Sequence, residues 1–188
     1  MDEQKDLISL LSHYKGIILD LDGTLVDLGV DWQQLKQSLA EYCLKKENLQ
    51  YTFTPLDKSL NQLRADYGEK LYQALLQIIT EYELDEKNYK INYQLLEVVN
   101  GISDKKIAIY SMNMRATVDN FIKKYLHVTP DIIISKETCA EPKPTGKDIN
   151  EILKQWEYKK EDVIFLGDKE QDVISGEQAQ VKTVIISI

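Results

Sequence analysis

The chain has 188 residues, with 23 Lys and Arg against 31 Asp and Glu and a formal net charge of −8. That length supports one domain of comfortable core size with a small insertion, but not two full-sized independent domains. An acidic chain lacks the basic face that nucleic-acid binding needs, and no apolar run exceeds four residues where a membrane helix needs about 20, so neither nucleic acid nor a bilayer is an expected partner.

At the start, Met1-Asp2-Glu3-Gln4 has neither the positive charge nor the apolar stretch of a secretory signal, which points to a cytoplasmic protein. Leu7, Ile8, Leu10 and Leu11 mark a helix face packed on the core. Gly16-Ile17-Ile18-Leu19 then reads as a buried strand that breaks into the polar loop Asp20-Leu21-Asp22-Gly23-Thr24. From about Asp27 to Lys90 there is no convincing strand. Trp32, Leu35, Leu39 and Tyr42 keep helical spacing, as do Leu56, Leu60, Leu63, Tyr67, Leu71, Leu75, Ile78 and Tyr82, with Pro55 near a start and Gly68 a break.

Beyond this helical insertion, Leu95, Leu96 and Val99 belong to a helix ending toward Gly101. Short apolar runs at Ile107–Tyr110, Ile132–Ile134, Val163–Leu166 and Val184–Ile186 are strand length. Helical faces lie between them, at Val118, Phe121, Ile122 and Tyr125 and at Ile149, Ile152, Leu153 and Trp156. Strands alternating with helices imply an α/β fold with a parallel sheet covered on both faces. The expected division is a core of residues 1–26 and 91–188 and a helical cap of residues 27–90. Cys43 and Cys139 have no Cys-x-x-Cys spacing and read as small, partly buried residues, and most of the 11 tyrosines as packing residues.

Open parallel sheets bind ligands beyond the carboxyl ends of their strands. The residues there form a coherent set: Asp20, Asp22, Gly23 and Thr24 after the first strand, Ser111 and Asn113 after the second, and Gly167, Asp168 and Asp172 after the fourth, with Lys143 preceding the fourth. Two aspartates two residues apart in a strand-to-loop passage can divide nucleophilic and general acid/base work, which is what phosphoryl transfer through an aspartyl phosphate requires. Asp168 and Asp172 complete an oxygen-rich site suited to Mg²⁺. Lys143 and the Ser111 hydroxyl suit phosphoryl oxygens. No Gly-x-Ser-x-Gly is present, so a Ser-His-Asp hydrolase has no support.

Asp20-Leu21-Asp22-Gly23-Thr24-Leu25 resembles the first motif of the haloacid dehalogenase superfamily. Tyr110-Ser111-Met112-Asn113 resembles the second, Lys143-Pro144 the third, and Gly167-Asp168-Lys169-Glu170-Gln171-Asp172 the fourth. The insertion sits where the phosphoglycolate phosphatase-like and beta-phosphoglucomutase-like branch carries its helical cap. The resemblance implies a Rossmann-like five-stranded sheet of order 5-4-1-2-3 with that cap inserted after the first strand. It makes Asp20 the nucleophile, Asp22 the general acid/base and Lys143 the charge stabiliser. Gly23, Thr24, Ser111 and Asn113 become substrate-binding residues. Asp20, Asp22 through its carbonyl, Asp168 and Asp172 become metal-site residues for Mg²⁺, with Asp172 either ligating or orienting. Gly146 departs from the pattern, standing where many relatives have a second proline.

The expected function is a Mg²⁺-dependent phosphatase acting on a small phosphorylated metabolite, with the cap closing to exclude water and set specificity. Asp22 argues against dehalogenation, because a departing halide needs no proton. A phosphomutase of the beta-phosphoglucomutase type would use the same residues. A non-catalytic regulatory protein on this fold, or a phosphatase directed at a phosphoprotein, are further alternatives.

Overall fold

Ile17, Ile18 and Leu19 have no solvent-exposed surface, the condition of a central strand in a parallel sheet covered on both faces. In the computed structural model, which describes residues 3–186 and 188, they form β1 (Gly16–Leu19), preceded by α1 (Glu3–Ser12). There follow β2 (Val26–Asp27), α2 (Trp32–Glu47), α3 (Leu56–Tyr67), α4 (Glu69–Glu83), β3 (Lys90–Ile91), α5 (Tyr93–Asn100), β4 (Lys106–Tyr110) and α6 (Arg115–Tyr125). The chain ends with β5 (Ile132–Ile134), α7 (Lys147–Trp156), β6 (Val163–Gly167), α8 (Glu170–Ala179) and β7 (Lys182–Ile185).

Five strands form one sheet in the order β5-β4-β1-β6-β7, all parallel. With its strands numbered along the chain this is 3-2-1-4-5, the expected order seen from the other edge. Ile149, Ile152, Leu153 and Trp156 of α7 are all buried and pack with Ile18, Ala108 and Phe165, as their helical spacing predicts. Two compact units divide the chain, Met1–Leu28 with Tyr89–Ile188, and Gly29–Asn88. In the second, Leu35, Leu39, Cys43, Leu60, Leu63, Leu75 and Ile79 are buried, and the hydroxyls of Ser38 and Tyr82 are 2.7 Å apart. Asp31 caps α2 by accepting the N–H groups of Gln33 and Gln34. Gly68, at φ +89°, separates α3 from α4.

Three details differ from the sequence expectation. β2 and β3 pair antiparallel at the two borders of the insertion, with Lys90 Nζ 3.1 Å from an Asp27 carboxylate oxygen; two residues per strand are too few for any periodicity to show. β7 begins at Lys182, two residues before the apolar run, and pairs Lys182 with Ile164 and Thr183 with Phe165. It is an edge strand, so polar side chains are tolerated there. On α1 Leu11 is buried, while Ile8 is 51% exposed. Among the described residues no helix is long and apolar enough to cross a membrane.

Ile152 has no exposed surface and lies in the cluster behind the sheet. Ile152→Ala is expected to cost about 2–5 kcal/mol of stability, read as a lower denaturation midpoint with native circular dichroism retained.

Candidate active site

Parallel pairing levels the carboxyl ends of β1, β4 and β6, with Leu19 opposite Ile109 on one side and Leu166 on the other. Asp20 emerges at this edge, its N–H still donating to the Leu166 carbonyl at 2.9 Å. The chain then closes a tight loop. The Leu21 carbonyl accepts the N–H groups of Thr24, Leu25 and Val26 at 3.2, 2.9 and 3.1 Å, and the Gly23 N–H donates to the Val26 carbonyl at 2.8 Å. Gly23 has φ +95°, and a Cβ there would run into the Asp168 carboxylate, so both conformation and space call for glycine. The Leu28 N–H donates to Asp22 Oδ1 at 3.1 Å and steadies that carboxylate. Thr24 is buried; its carbonyl accepts Asn92 Nδ2 at 3.1 Å, and its hydroxyl has no hydrogen-bond partner.

The loop before α7 delivers Lys143 to the same edge, with a side chain only 4% exposed. Its Nζ donates to Asp20 Oδ1 at 2.6 Å, to Asp172 Oδ1 at 2.7 Å and to the Tyr110 carbonyl at 2.9 Å. It also faces the rings of Tyr110 and Phe165, 4.5 and 5.2 Å from their centroids. An unpaired buried ammonium would cost several kcal/mol, and here two carboxylates and a carbonyl offset that cost. Asp172, at the third position of α8, turns its other oxygen to the N–H groups of Asp168 and Lys169 at 3.2 and 3.0 Å. Both of its oxygens are thus engaged within the chain.

Asp20, Asp168 and Asp172 each present a carboxylate oxygen within 4.8 Å of one another. Asp168 Oδ1 is buried without a hydrogen-bond partner. A convergent all-oxygen set with an unsatisfied carboxylate oxygen fits a hard divalent cation. Burial pushes Asp20 up, Lys143 pulls it down and Asp172 pushes it up again, for a net pKa of about 6. Asp168 is also raised, first by burial, against the pull of Lys169. Burial alone would lower the Lys169 ammonium, but Asp22, Asp20 and Asp168 together hold it above its ordinary value.

Ser111 follows β4 and is buried, with its N–H on the Ile134 carbonyl at 3.0 Å. Its hydroxyl donates to Asn113 Oδ1 at 2.7 Å and accepts the Asn113 N–H at 3.2 Å, so these two residues hold one another in place. Among the residues singled out in the sequence, Asp20, Lys143, Asp168 and Asp172 meet directly. Asp22, Gly23 and Thr24 share the loop on β1, and Ser111 and Asn113 sit beyond the Tyr110 carbonyl that Lys143 grips. Sequence reasoning missed Tyr110 and Phe165 as walls around Lys143, and it missed Lys169. Lys169 Nζ reaches the Asp22 carbonyl at 3.0 Å; its place next to Asp168 was the available signal. Gly146, which departs from the pattern of the resembled family, donates its N–H to Gln178 Oε1 at 3.1 Å. A Cβ on it would come 2.8 Å from the Ala179 nitrogen. Close packing on α8 explains the departure, since proline would remove the donor and add bulk.

The family of haloacid dehalogenase-like hydrolases matches residues 17–186. The chain belongs to that family, and its fold and acidic edge are those of an enzyme of this kind. It is 23% identical over 179 residues to pyrophosphatase PpaX of Bacillus mycoides, covering 91% of this chain and 82% of that protein. It is 22% identical over 185 residues to pyrophosphatase PpaX of Halalkalibacterium halodurans, covering 90% and 82%. Among solved structures, CbbY from Rhodobacter sphaeroides in complex with phosphate superposes with a TM-score of 0.63 at 14% identity, over 93% of this chain and 87% of that one. A predicted phosphoglycolate phosphatase from Haemophilus somnus gives 0.62 at 17% identity, over 92% and 85%.

Asp20 holds its proton in the folded, metal-free chain up to about pH 6, against an ordinary value of 3.8. Its contribution to stability is therefore full below about 3.8 and lost as the pH rises through about 6. Asp20→Asn cannot ionise, so its denaturation midpoint relative to the unsubstituted chain is expected to rise between pH 4 and pH 7, measured in the presence of a chelator.

Proposed function

We propose that this chain is a Mg²⁺-dependent phosphatase that hydrolyses a small phosphomonoester through a phosphoryl-aspartate on Asp20. The observation that carries the reading is Lys143, a buried ammonium held 2.6 Å from Asp20 Oδ1 and 2.7 Å from Asp172 Oδ1. An ammonium fixed beside the candidate nucleophile is placed to neutralise charge on a phosphoryl group arriving there.

In the first half-reaction an Asp20 oxygen forms a bond to phosphorus as the bond to the departing alcohol oxygen breaks, and Asp22 supplies the proton that alcohol needs. In the second, Asp22 takes a proton from water, the water oxygen bonds to phosphorus, and the bond to Asp20 breaks to release inorganic phosphate. The Leu28 N–H on Asp22 Oδ1 supports this division, because it holds the second carboxylate in the loop. Lys143 stabilises the equatorial oxygens. Ser111, Asn113 and the Gly23–Thr24 turn bind the phosphoryl group. Asp20, Asp168 and the Asp22 carbonyl would hold Mg²⁺, with Asp172 orienting Lys143 and the Asp168 backbone. When bound, the ion supplies charge neutralisation at the phosphoryl oxygens.

Release of phosphate from p-nitrophenyl phosphate, phosphoglycolate and inorganic pyrophosphate, with Mg²⁺ or with a chelator, tests this reading. The last two follow the names of the relatives above. The expected result is metal-dependent release that falls about 10²–10⁴-fold in Asp22→Asn and at least 10³-fold in Asp20→Asn. Release that persists in Asp20→Asn would overturn the mechanism.

A further inference from the structure

Lys169 carries no role in the reaction above, yet its ammonium lies on the oxygens of the acidic pocket. Its Nζ is 3.0 Å from the Asp22 carbonyl, 3.4 Å from Asp22 Oδ2 and 3.8 Å from Asp168 Oδ1. The backbone of Lys169 is pinned, because its N–H donates to Asp172 Oδ2 at 3.0 Å. Its side chain is held by those contacts of its ammonium. It is 52% exposed, against 4% for Lys143, and four methylenes let it swing into water while its Cα stays in place.

Charge explains why it turns inward. Asp20, Asp22, Asp168 and Asp172 crowd one edge, and Lys143 engages only Asp20 and Asp172. The excess negative charge falls on Asp22 and Asp168, the two residues that Lys169 reaches. Asp168 Oδ1 has no hydrogen-bond partner, so the Lys169 charge at 3.8 Å partly compensates it without satisfying it.

We propose that Lys169 is a built-in counter-cation of this pocket, which a divalent ion must displace from the Asp22 carbonyl and Asp168 in order to bind. This rests on the reading of the acidic cluster as a divalent-cation site. Like charges cannot share those oxygens at close range, so the pocket alternates between two states: Lys169 in without metal, and Lys169 out in solvent with it. Metal affinity is then reduced by the fraction of molecules in which Lys169 occupies the pocket. In return, the metal-free enzyme is spared an uncompensated cluster of carboxylates.

Isothermal titration of Mg²⁺ into the metal-free full chain tests the proposal in the unsubstituted protein, Lys169→Met and Lys169→Arg. Methionine keeps the length and apolar character of the stem but removes the charge, and arginine restores the charge. The expected result is about fivefold tighter Mg²⁺ binding in Lys169→Met, as removal of a half-exposed charge contact implies, and affinity close to the unsubstituted value in Lys169→Arg. Melting temperatures should agree: Lys169→Met falls below the unsubstituted chain without metal, and the gap narrows at saturating Mg²⁺. Equal or weaker Mg²⁺ binding in Lys169→Met, with measurable binding in the unsubstituted chain, overturns the proposal alone. No Mg²⁺ binding in any of the three removes the cation site, and the proposal with it.

Discussion

The ammonium of Lys143 is the constraint on which the candidate site depends. A charge so deeply buried is tolerable only where its three donors meet acceptors. Those acceptors come from Asp20 beyond β1, the Tyr110 carbonyl at the end of β4 and Asp172 on α8. The lysine itself arrives from the loop before α7, so one cation ties together four parts of the chain far apart in sequence. Each part must take its place in the sheet before the cluster can form. Without the lysine, Asp20 and Asp172 would face one another as uncompensated carboxylates, and without the carboxylates the lysine would not stay buried.

Around that cluster the backbone is shaped for close approach. The Leu21 carbonyl gathers three N–H groups and turns the chain sharply after Asp20, and Gly23 leaves its Cβ position to the Asp168 carboxylate. On the far side Gly146 lets α7 start against the end of α8, with its N–H spent on Gln178. At these two points the site needs the smallest side chain, once for a carboxylate and once for a helix.

The two lysines of the edge illustrate how burial divides one residue type into two physical roles. Lys143 is enclosed by aromatic rings and acceptors, and it is as much a part of the architecture as the strands. Lys169 has a fixed backbone and a half-exposed side chain, so its charge is available to the pocket without being locked into it. The carboxylates record the same balance. Asp20 stays raised despite a lysine on one oxygen, because burial and the neighbouring Asp172 outweigh that lysine's pull.

Much of this was legible along the chain. Apolar runs located the five strands of the parallel sheet, because a strand buried on both faces must be apolar at nearly every position. The period of α7 named its buried face, since one side of a helix rests on the sheet. The polar residues after each strand named the candidate site, since that is where a parallel sheet leaves backbone and side chains open to a ligand. Pattern could not reach features that arise from one or two residues meeting a distant partner. The β2–β3 pair is held by contacts across the whole insertion. Lys182 and Thr183 join β7 through an edge that tolerates polar side chains, and Ile8 lies on α1 in solvent although its neighbours suggested a buried face. Burial of Lys143 and the reach of Lys169 to the Asp22 carbonyl were likewise decided in three dimensions, because a lysine reads the same along the chain whether its charge ends in water or against carboxylates.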